Sequence, residues 1–275
     1  MSKIIAFVIP VKPKKSLGQH FLTDKNIARK IVNSLSLNDY TRVLEIGPGM
    51  GVLTEFLLAL PDTDLKFVEI DNASVSYLVK RFPGIKDKIV SSDILDVNFG
   101  ELFNKPFAVI GNFPYNISSQ LFFRILEHRN LVTEVVCMIQ KEVAVRIASP
   151  PGPKDYGILS VFLQAYYQIS YLFTVPPQVF NPPPRVQSAV IRLTRNNRTS
   201  LECDEVLFAK VVKTAFNQRR KTLRNSLKNI LLNLDTTDDI FQKRPEQLGI
   251  DDFVRLTRLA ENAAGLRNNH PTEGP

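Results

Sequence analysis

Three glycines sit close together in the segment VLEIGPGMG (43–51), at positions 47, 49 and 51, where an apolar strand-like run gives way to a helical pattern. A strand that turns directly into a helix needs glycine for the tight turn and for close approach of backbone to a ligand. The spacing G-x-G-x-G lacks the longer G-x-G-x-x-G of dinucleotide sites, and Glu45, just before Gly47, would repel a pyrophosphate. A carboxylate there suits a cationic ligand instead, such as the sulfonium and ammonium of S-adenosylmethionine. Glu69 ends the next apolar run, 18 residues after Gly51, where an acid accepts hydrogen bonds from ribose hydroxyls. Asp93 ends a third run, placed to take the N6 amino group of an adenine, with Ile94 against the ring. Each acid alone reads as a surface or capping residue. Three at successive strand ends, behind a glycine turn, point to one nucleoside-bearing ligand.

A second constellation is Asn112-Phe113-Pro114-Tyr115, at the end of a fourth apolar run. An Asn-x-Pro-aromatic corner offers the Asn side-chain oxygen and a nearby backbone carbonyl as acceptors, and Tyr115 offers a ring for stacking. Enzymes that modify a flipped-out base hold it by such edge hydrogen bonds and aromatic stacking. The bland alternative is a proline turn with Tyr115 in the core, and proximity to the glycine turn favours the functional reading.

Apolar runs at 42–47, 65–71, 88–93, 107–114 and 135–140 alternate with helical patterns near 24–35, 52–60, 73–82 and 118–128. That alternation predicts βαβ units and a parallel, doubly wound, Rossmann-like α/β sheet. The runs 158–173 and 187–194 are expected to close the sheet, the last one antiparallel. After Arg195 only helical patterns follow, to Ala264. We therefore expect a catalytic, cofactor-binding domain over 1–195 and a small all-helical domain over 196–275, ending in a disordered tail, RNNHPTEGP. Asp24 is expected to cap the first helix, with Ile27, Ile31 and Leu35 on its apolar face.

Composition narrows the classes. Apolar residues make up 44% and charged residues 23% of the 275, which excludes extensive disorder and permits a real core. Two cysteines, Cys137 and Cys203, and three scattered histidines exclude a disulfide framework and argue against a metal site. No apolar run reaches the roughly 18 residues of a membrane helix, and a cytoplasmic protein is expected. Lysine and arginine exceed acids by 35 to 27, a net charge of +8. The excess is concentrated. No acid lies between Glu205 and Asp235, whereas Lys210, Lys213, Arg219, Arg220, Lys221, Arg224 and Lys228 do. In FNQRRKTLRNSLK (216–228) one helix is expected, with Leu223, Leu227, Ile230 and Leu234 on its apolar face. Its basic face, Arg219, Arg220, Lys221, Arg224 and Lys228, is expected to meet RNA backbone. Lys12, Lys14 and Lys15 form a second, smaller basic group.

The chain resembles the ribosomal RNA small-subunit adenine N6,N6-dimethyltransferases. The likeness runs from about Lys14 to Leu259 and rests on KKSLGQHFL (14–22), EIGPGMG (45–51), VEID (68–71), SSDILDVNF (91–99), NFPYNIS (112–118) and VFNPPPRVQSAV (179–190). The resemblance implies methyl transfer from S-adenosylmethionine to N6 of two adjacent adenosines near the 3′ end of 16S rRNA. The partner would be the assembling 30S subunit, the enzyme a monomer with no metal and no membrane association, and its role ribosome biogenesis. It implies that His20, Leu22, Gly47, Glu69, Asp93 and Asn112 contact the cofactor, with Gly49 and Ile94 beside them. Tyr115 and Phe180 would hold the target adenine at the Asn112–Pro114 corner. His20 stands where many bacterial members carry Asn, and Phe113 where Leu is common. A large-subunit adenine methyltransferase of the macrolide-resistance type is the main alternative, disfavoured by SLGQHFL and FNQRRKTLRNSL. A DNA adenine methyltransferase is disfavoured by its different corner motif. A non-catalytic assembly or transcription factor is disfavoured by the intact glycine turn and NFPY, and a dehydrogenase by the glycine spacing and Glu45.

Overall fold

The computed structural model describes residues 11–37, 40–231, 235–263 and 265. Leu234 and the tail 267–275, named above, lie outside them. Short β1 (Phe21–Leu22) leads to α1 (Lys25–Val32), which Asp24 caps as expected by accepting the Asn26 and Ile27 N–H groups. Then follow β2 (Arg42–Ile46), α2 (Thr54–Leu57), β3 (Asp64–Val68), α3 (Asn72–Arg81), β4 (Ile89–Val90), α4 (Phe99–Leu102), β5 (Phe107–Asn112), α5 (Ser118–Glu127) and β6 (Val132–Gln140). Beyond them come α6 (Lys141–Ala148), α7 (Ile158–Tyr166), β7 (Tyr167–Val175), β8 (Phe180–Asn181) and β9 (Ser188–Arg195). The remaining helices are α8 (Glu205–Asn217), α9 (Leu223–Ser226) and α10 (Ile250–Ala263).

Seven strands form one sheet in the order β4-β3-β2-β5-β6-β9-β7. From β4 to β6 all pairs are parallel, and β9 is antiparallel to β6, as expected for the run 187–194. The central strands β2 and β5 are almost wholly buried, as strands of a parallel sheet covered on both faces are. The chain leaves β2 toward β3 on one side and reaches β5 on the other. A crevice therefore opens at the carboxyl ends of β2 and β5, the usual ligand position in such sheets. Close fit there is written into Gly111, opposite Ile46, where a Cβ would come within 2.4 Å of the Ile46 carbonyl oxygen.

Two expectations need correction. Residues 158–166 were expected to continue the sheet, yet they form the helix α7, with only Tyr167–Val175 extended. A continuous apolar run has no period to separate buried helix from buried strand. Nor do the compact units follow a single cut at residue 196. One comprises 1–144 and 169–195, the other 145–168 and 196–275. Within the second unit α7 packs on α8 and α10, with Phe162 and Phe208 rings 6.1 Å apart, and this draws 145–168 out of the first.

Candidate active site

The turn after β2 carries Gly47 and Gly49, both in the left-handed region at φ +65° and +56°. Gly49 has a second reason to lack a side chain, since a Cβ would lie 2.9 Å from the Phe21 ring. Its N–H donates to Glu69 Oε2 at 2.9 Å, and the Asp71 N–H donates to Glu69 Oε1 at 2.9 Å. Glu69 follows β3 directly and is 4% exposed. Burial raises its pKa, an effect that the two N–H donors oppose and the neighbouring Asp71 carboxylate reinforces. Each carboxylate oxygen keeps a second lone pair for a ligand hydroxyl. Asp71 is buried too, yet its pKa falls. Burial pushes it up, but Lys14, the Ser74 hydroxyl and the Ala73 N–H together outweigh that. Asp93, beyond β4, accepts the Leu95 N–H at 2.9 Å, and Ile94 is buried beside it.

Across the crevice, Asn112 ends β5. Its Nδ2 donates to the His20 carbonyl at 2.8 Å, which commits the amide NH2 to the N-terminal strap formed by residues 14–22 and leaves Oδ1 as the acceptor. The His20 ring stacks on Tyr115, centroids 5.5 Å apart and planes at 27°, and its Nδ1 donates to the Pro182 carbonyl at 2.8 Å. The Tyr115 hydroxyl is hydrogen-bonded to Ser188 Oγ. Burial raises the Tyr115 pKa, so the ring carries a neutral phenol. Lys14 pairs with Asp71 and so ties the start of the strap to the head of α3.

These groups enclose one open cleft. His20, Gly47, Gly49, Glu69, Asp93, Ile94, Asn112, Pro114 and Tyr115 all line it, and among the described residues no Lys or Arg side chain does. Two expected site residues do not. Leu22 and Phe180 are partners across the β1–β8 pair and belong to the apolar core, Phe180 being 4% exposed. The register turns both side chains inward, where they hold the strap against the sheet. Glu45 is also corrected. It is 1% exposed and absent from the cleft wall, and it accepts the Thr54 hydroxyl at 2.7 Å. Burial, reinforced by Glu69, pushes its pKa up to about 8 despite the Thr54 hydrogen bond. It is a neutral brace for the start of α2 rather than a counter-charge. The cleft wall also includes Ser16, Gln19, Phe21, Ile70, Ser92 and Asn116, which the residue-by-residue reading passed over. The SLGQHF and NFPYN segments were the signal for four of them.

In the second unit the basic segment is not one helix. Helix α8 ends at Asn217, residues 218–222 turn, and α9 begins at Leu223. Continuing α8 would carry its buried face, Phe208, Val211, Val212 and Ala215, on to Gln218, Arg219 and Thr222. The chain breaks instead and restarts with Leu223 and Leu227 buried. Arg220, Lys221, Arg224 and Lys228 are exposed, but Arg219 lies 3.8 Å from Glu246 and donates to the Pro153 carbonyl at 3.2 Å. Among the described residues no group of three His, Cys, Asp or Glu side chains is placed to hold a metal, and no helix is long and apolar enough to cross a membrane.

A mixed, mostly parallel Rossmann-like sheet with a glycine turn and carboxylates at successive strand ends has the architecture of the S-adenosylmethionine-dependent methyltransferases. Within that class the chain belongs to the ribosomal RNA adenine dimethylase family, whose model matches residues 11–260. It is 55% identical over 257 residues to the ribosomal RNA small subunit methyltransferase A of Bacteroides thetaiotaomicron, a match covering 92% of this chain and 96% of that one. A dimethyladenosine transferase from Plasmodium falciparum has a similar structure, with TM-score 0.77, 27% identity, and coverage of 89% of this chain and 98% of that one. The 23S rRNA methyltransferase ErmE shares the fold at TM-score 0.62 and 24% identity, over 86% of this chain and 99% of that one.

Proposed function

We infer that this protein methylates N6 of two adjacent adenosines near the 3′ end of 16S rRNA, taking the methyl groups from S-adenosylmethionine and giving N6,N6-dimethyladenosine. The observation that carries the reading is the character of the cleft. It combines carboxylates at Glu69 and Asp93 with an Asn-Phe-Pro-Tyr corner, and among the described residues its wall has no Lys or Arg. Such a lining disfavours a phosphate-bearing cofactor and fits a cationic ligand with a ribose and an adenine. Glu69, with a spare lone pair on each oxygen, would take the ribose hydroxyls. Asp93 and Ile94 would hold the adenine, and the Gly47–Gly49 backbone would approach the ligand closely. When bound, S-adenosylmethionine supplies a methyl group already activated by its sulfonium.

The chain's own task is then to present the target amine. In the first transfer Asn112 Oδ1 and a backbone carbonyl of the corner accept its two hydrogens, and in the second one of them accepts the hydrogen that remains, which favours a pyramidal nitrogen with a localised lone pair. The His20 carbonyl fixes the Asn112 amide in that sense. The Tyr115 ring, backed by His20 and anchored by Ser188, offers the stacking face and stabilises the positive charge that develops on the base. Phe180 is buried in the apolar core of the same unit. The proton leaves to solvent, and positioning supplies the remainder. The cytoplasm and the assembling 30S subunit follow from the substrate, with Arg220, Lys221, Arg224 and Lys228 as candidate contacts to the rRNA backbone. The test is methyl transfer from labelled S-adenosylmethionine to under-methylated small subunits and to large subunits. Label in the small subunit alone is expected. Label only in large subunits, or in neither, overturns the assignment.

A further inference from the structure

Among the described residues the cleft wall holds no lysine or arginine, so the phosphates of a strand whose base enters it are to be met at the rim. One rim segment is built for this. The loop 182–187 is fastened to the cleft at both ends, through Pro182 to the His20 ring at 2.8 Å and through Ser188 to the Tyr115 hydroxyl. A third tie comes from Lys141, whose N–H and Nζ donate to the Gln187 carbonyl and side-chain oxygens, both at 2.9 Å. Three consecutive prolines, Pro182 to Pro184, stiffen the loop. Three residues of chain span at most about 11 Å, so the Arg185 backbone stays within that reach of both anchors.

Between the anchors the loop exposes an arginine and an aliphatic side chain. Arg185 is exposed and makes no ion pair or hydrogen bond among the described residues. Val186, at 46%, is one of the few large apolar side chains left open to solvent. Neither is explained by folding. We propose that the Arg185–Val186 tip docks the nucleotide next to the target adenosine, Arg185 binding its phosphate and Val186 packing against its base. The inference rests on the methyltransferase reading above and deepens it. An arginine fork suits a phosphate, and an aliphatic contact to a base face reads no hydrogen-bonding edge. Such a contact serves a substrate of two adjacent adenosines, because either one must sit in the cleft while the other, methylated or not, occupies the flanking position.

The experiment uses the full-length protein, under-methylated small subunits and labelled S-adenosylmethionine, with Arg185→Ala, Arg185→Glu and Val186→Asp. Arg185→Glu is expected to raise KM for subunits about tenfold or more with little change in kcat, and Val186→Asp to raise it several-fold. Arg185→Ala should reduce the log–log salt slope of subunit binding by about 0.7–0.9. Cofactor affinity by calorimetry should match the parent in all three, which also shows that each is folded. If the parent methylates small subunits and the variants share its KM and salt slope, the docking inference is wrong and the function stands. If the parent transfers no label to small subunits, the function falls and this inference with it.

Discussion

Replacing Glu69 separates its two roles. The carboxylate braces the glycine turn through the Gly49 and Asp71 N–H groups and, in the proposed complex, accepts the ribose hydroxyls. Glu69→Ala leaves two buried N–H donors without partners, a loss of stability of about 1–3 kcal/mol for each. It also removes the ribose acceptors. Hydrogen bonds to a charged group contribute roughly 1.5–3 kcal/mol apiece, but this carboxylate already shares its charge with two backbone donors. We therefore expect a loss of about 1–3 kcal/mol in cofactor binding, roughly 5- to 150-fold in Kd. Glu69→Gln keeps one acceptor and turns an amide NH2 toward a backbone N–H, so it should fall between parent and alanine in both measures. The pH dependence has a definite sign. Burial raises the Glu69 pKa, so the carboxylate form is lost at a higher pH than for an ordinary glutamate, and cofactor affinity should begin to fall correspondingly early on acidification. Calorimetry with S-adenosylmethionine, alongside thermal unfolding, reads both roles. Lower stability with unchanged affinity would show that Glu69 only braces the turn.

Three further outcomes are expected. Asn112→Ala and Tyr115→Ala should each cut methyl transfer by about 100-fold or more while small-subunit binding changes little, as transition-state contacts demand; near-normal turnover in either removes that residue from the mechanism. Changing Arg220, Lys221 and Arg224 together to Glu should abolish small-subunit binding and leave cofactor affinity intact, whereas Arg219→Ala should mainly lower stability through Glu246 and Pro153; filter binding across a salt series with an unaltered slope would make the first set an ordinary solvated surface. Glu45, pushed from 4.5 to about 8, stays protonated in the fold while the unfolded chain ionises. Its contribution is complete below pH 4.5 and declines as pH rises toward 8, by about 3 kcal/mol at pH 7. Glu45→Gln keeps an acceptor for Thr54, and the cofactor-free variant should lose that decline; equal slopes between pH 5 and 8 would contradict the buried-carboxyl account.

The residues at strand ends were legible because each functional group follows a strong apolar run that fixes where the chain leaves the sheet. Gly47, Glu69, Asp93 and Asn112 needed only the strand to be placed, and all four line the cleft. Side-chain facing was less legible. In a strand buried on both faces the alternation that sorts inside from outside is absent, so Glu45 read as a ligand contact when it braces α2. Leu22 and Phe180, expected at the site, lie outside the cleft wall, and their facing was hard to read for a related reason. Their direction depends on a two-residue pairing between segments some 160 positions apart, and a slip of one residue would reverse it. The break at 218–222 was readable in principle, since polar residues fall where the buried face of α8 would continue, but charge clustering drew attention away from that period.

What no single segment could show is how the corner is closed. The peptide 14–22, the strand end 112–115 and the loop 180–188 are far apart in sequence and meet through contacts that include Asn112 with the His20 carbonyl, the His20 ring with Tyr115 and Pro182, and Tyr115 with Ser188. Three of these ties join a group that would act on the substrate, Asn112 or Tyr115, to a group that would not, and the tie to Pro182 anchors the His20 ring behind Tyr115. The Asn112 amide is oriented by a backbone carbonyl, and the Tyr115 ring is held by an imidazole on its face and a serine at its hydroxyl. A flat aromatic ring and a short amide have several rotamers, and catalysis by positioning requires that the choice be made before substrate arrives. The strap makes that choice, so loosening it at Lys14 or Asp71 is expected to act on the catalytic corner without touching a reacting atom.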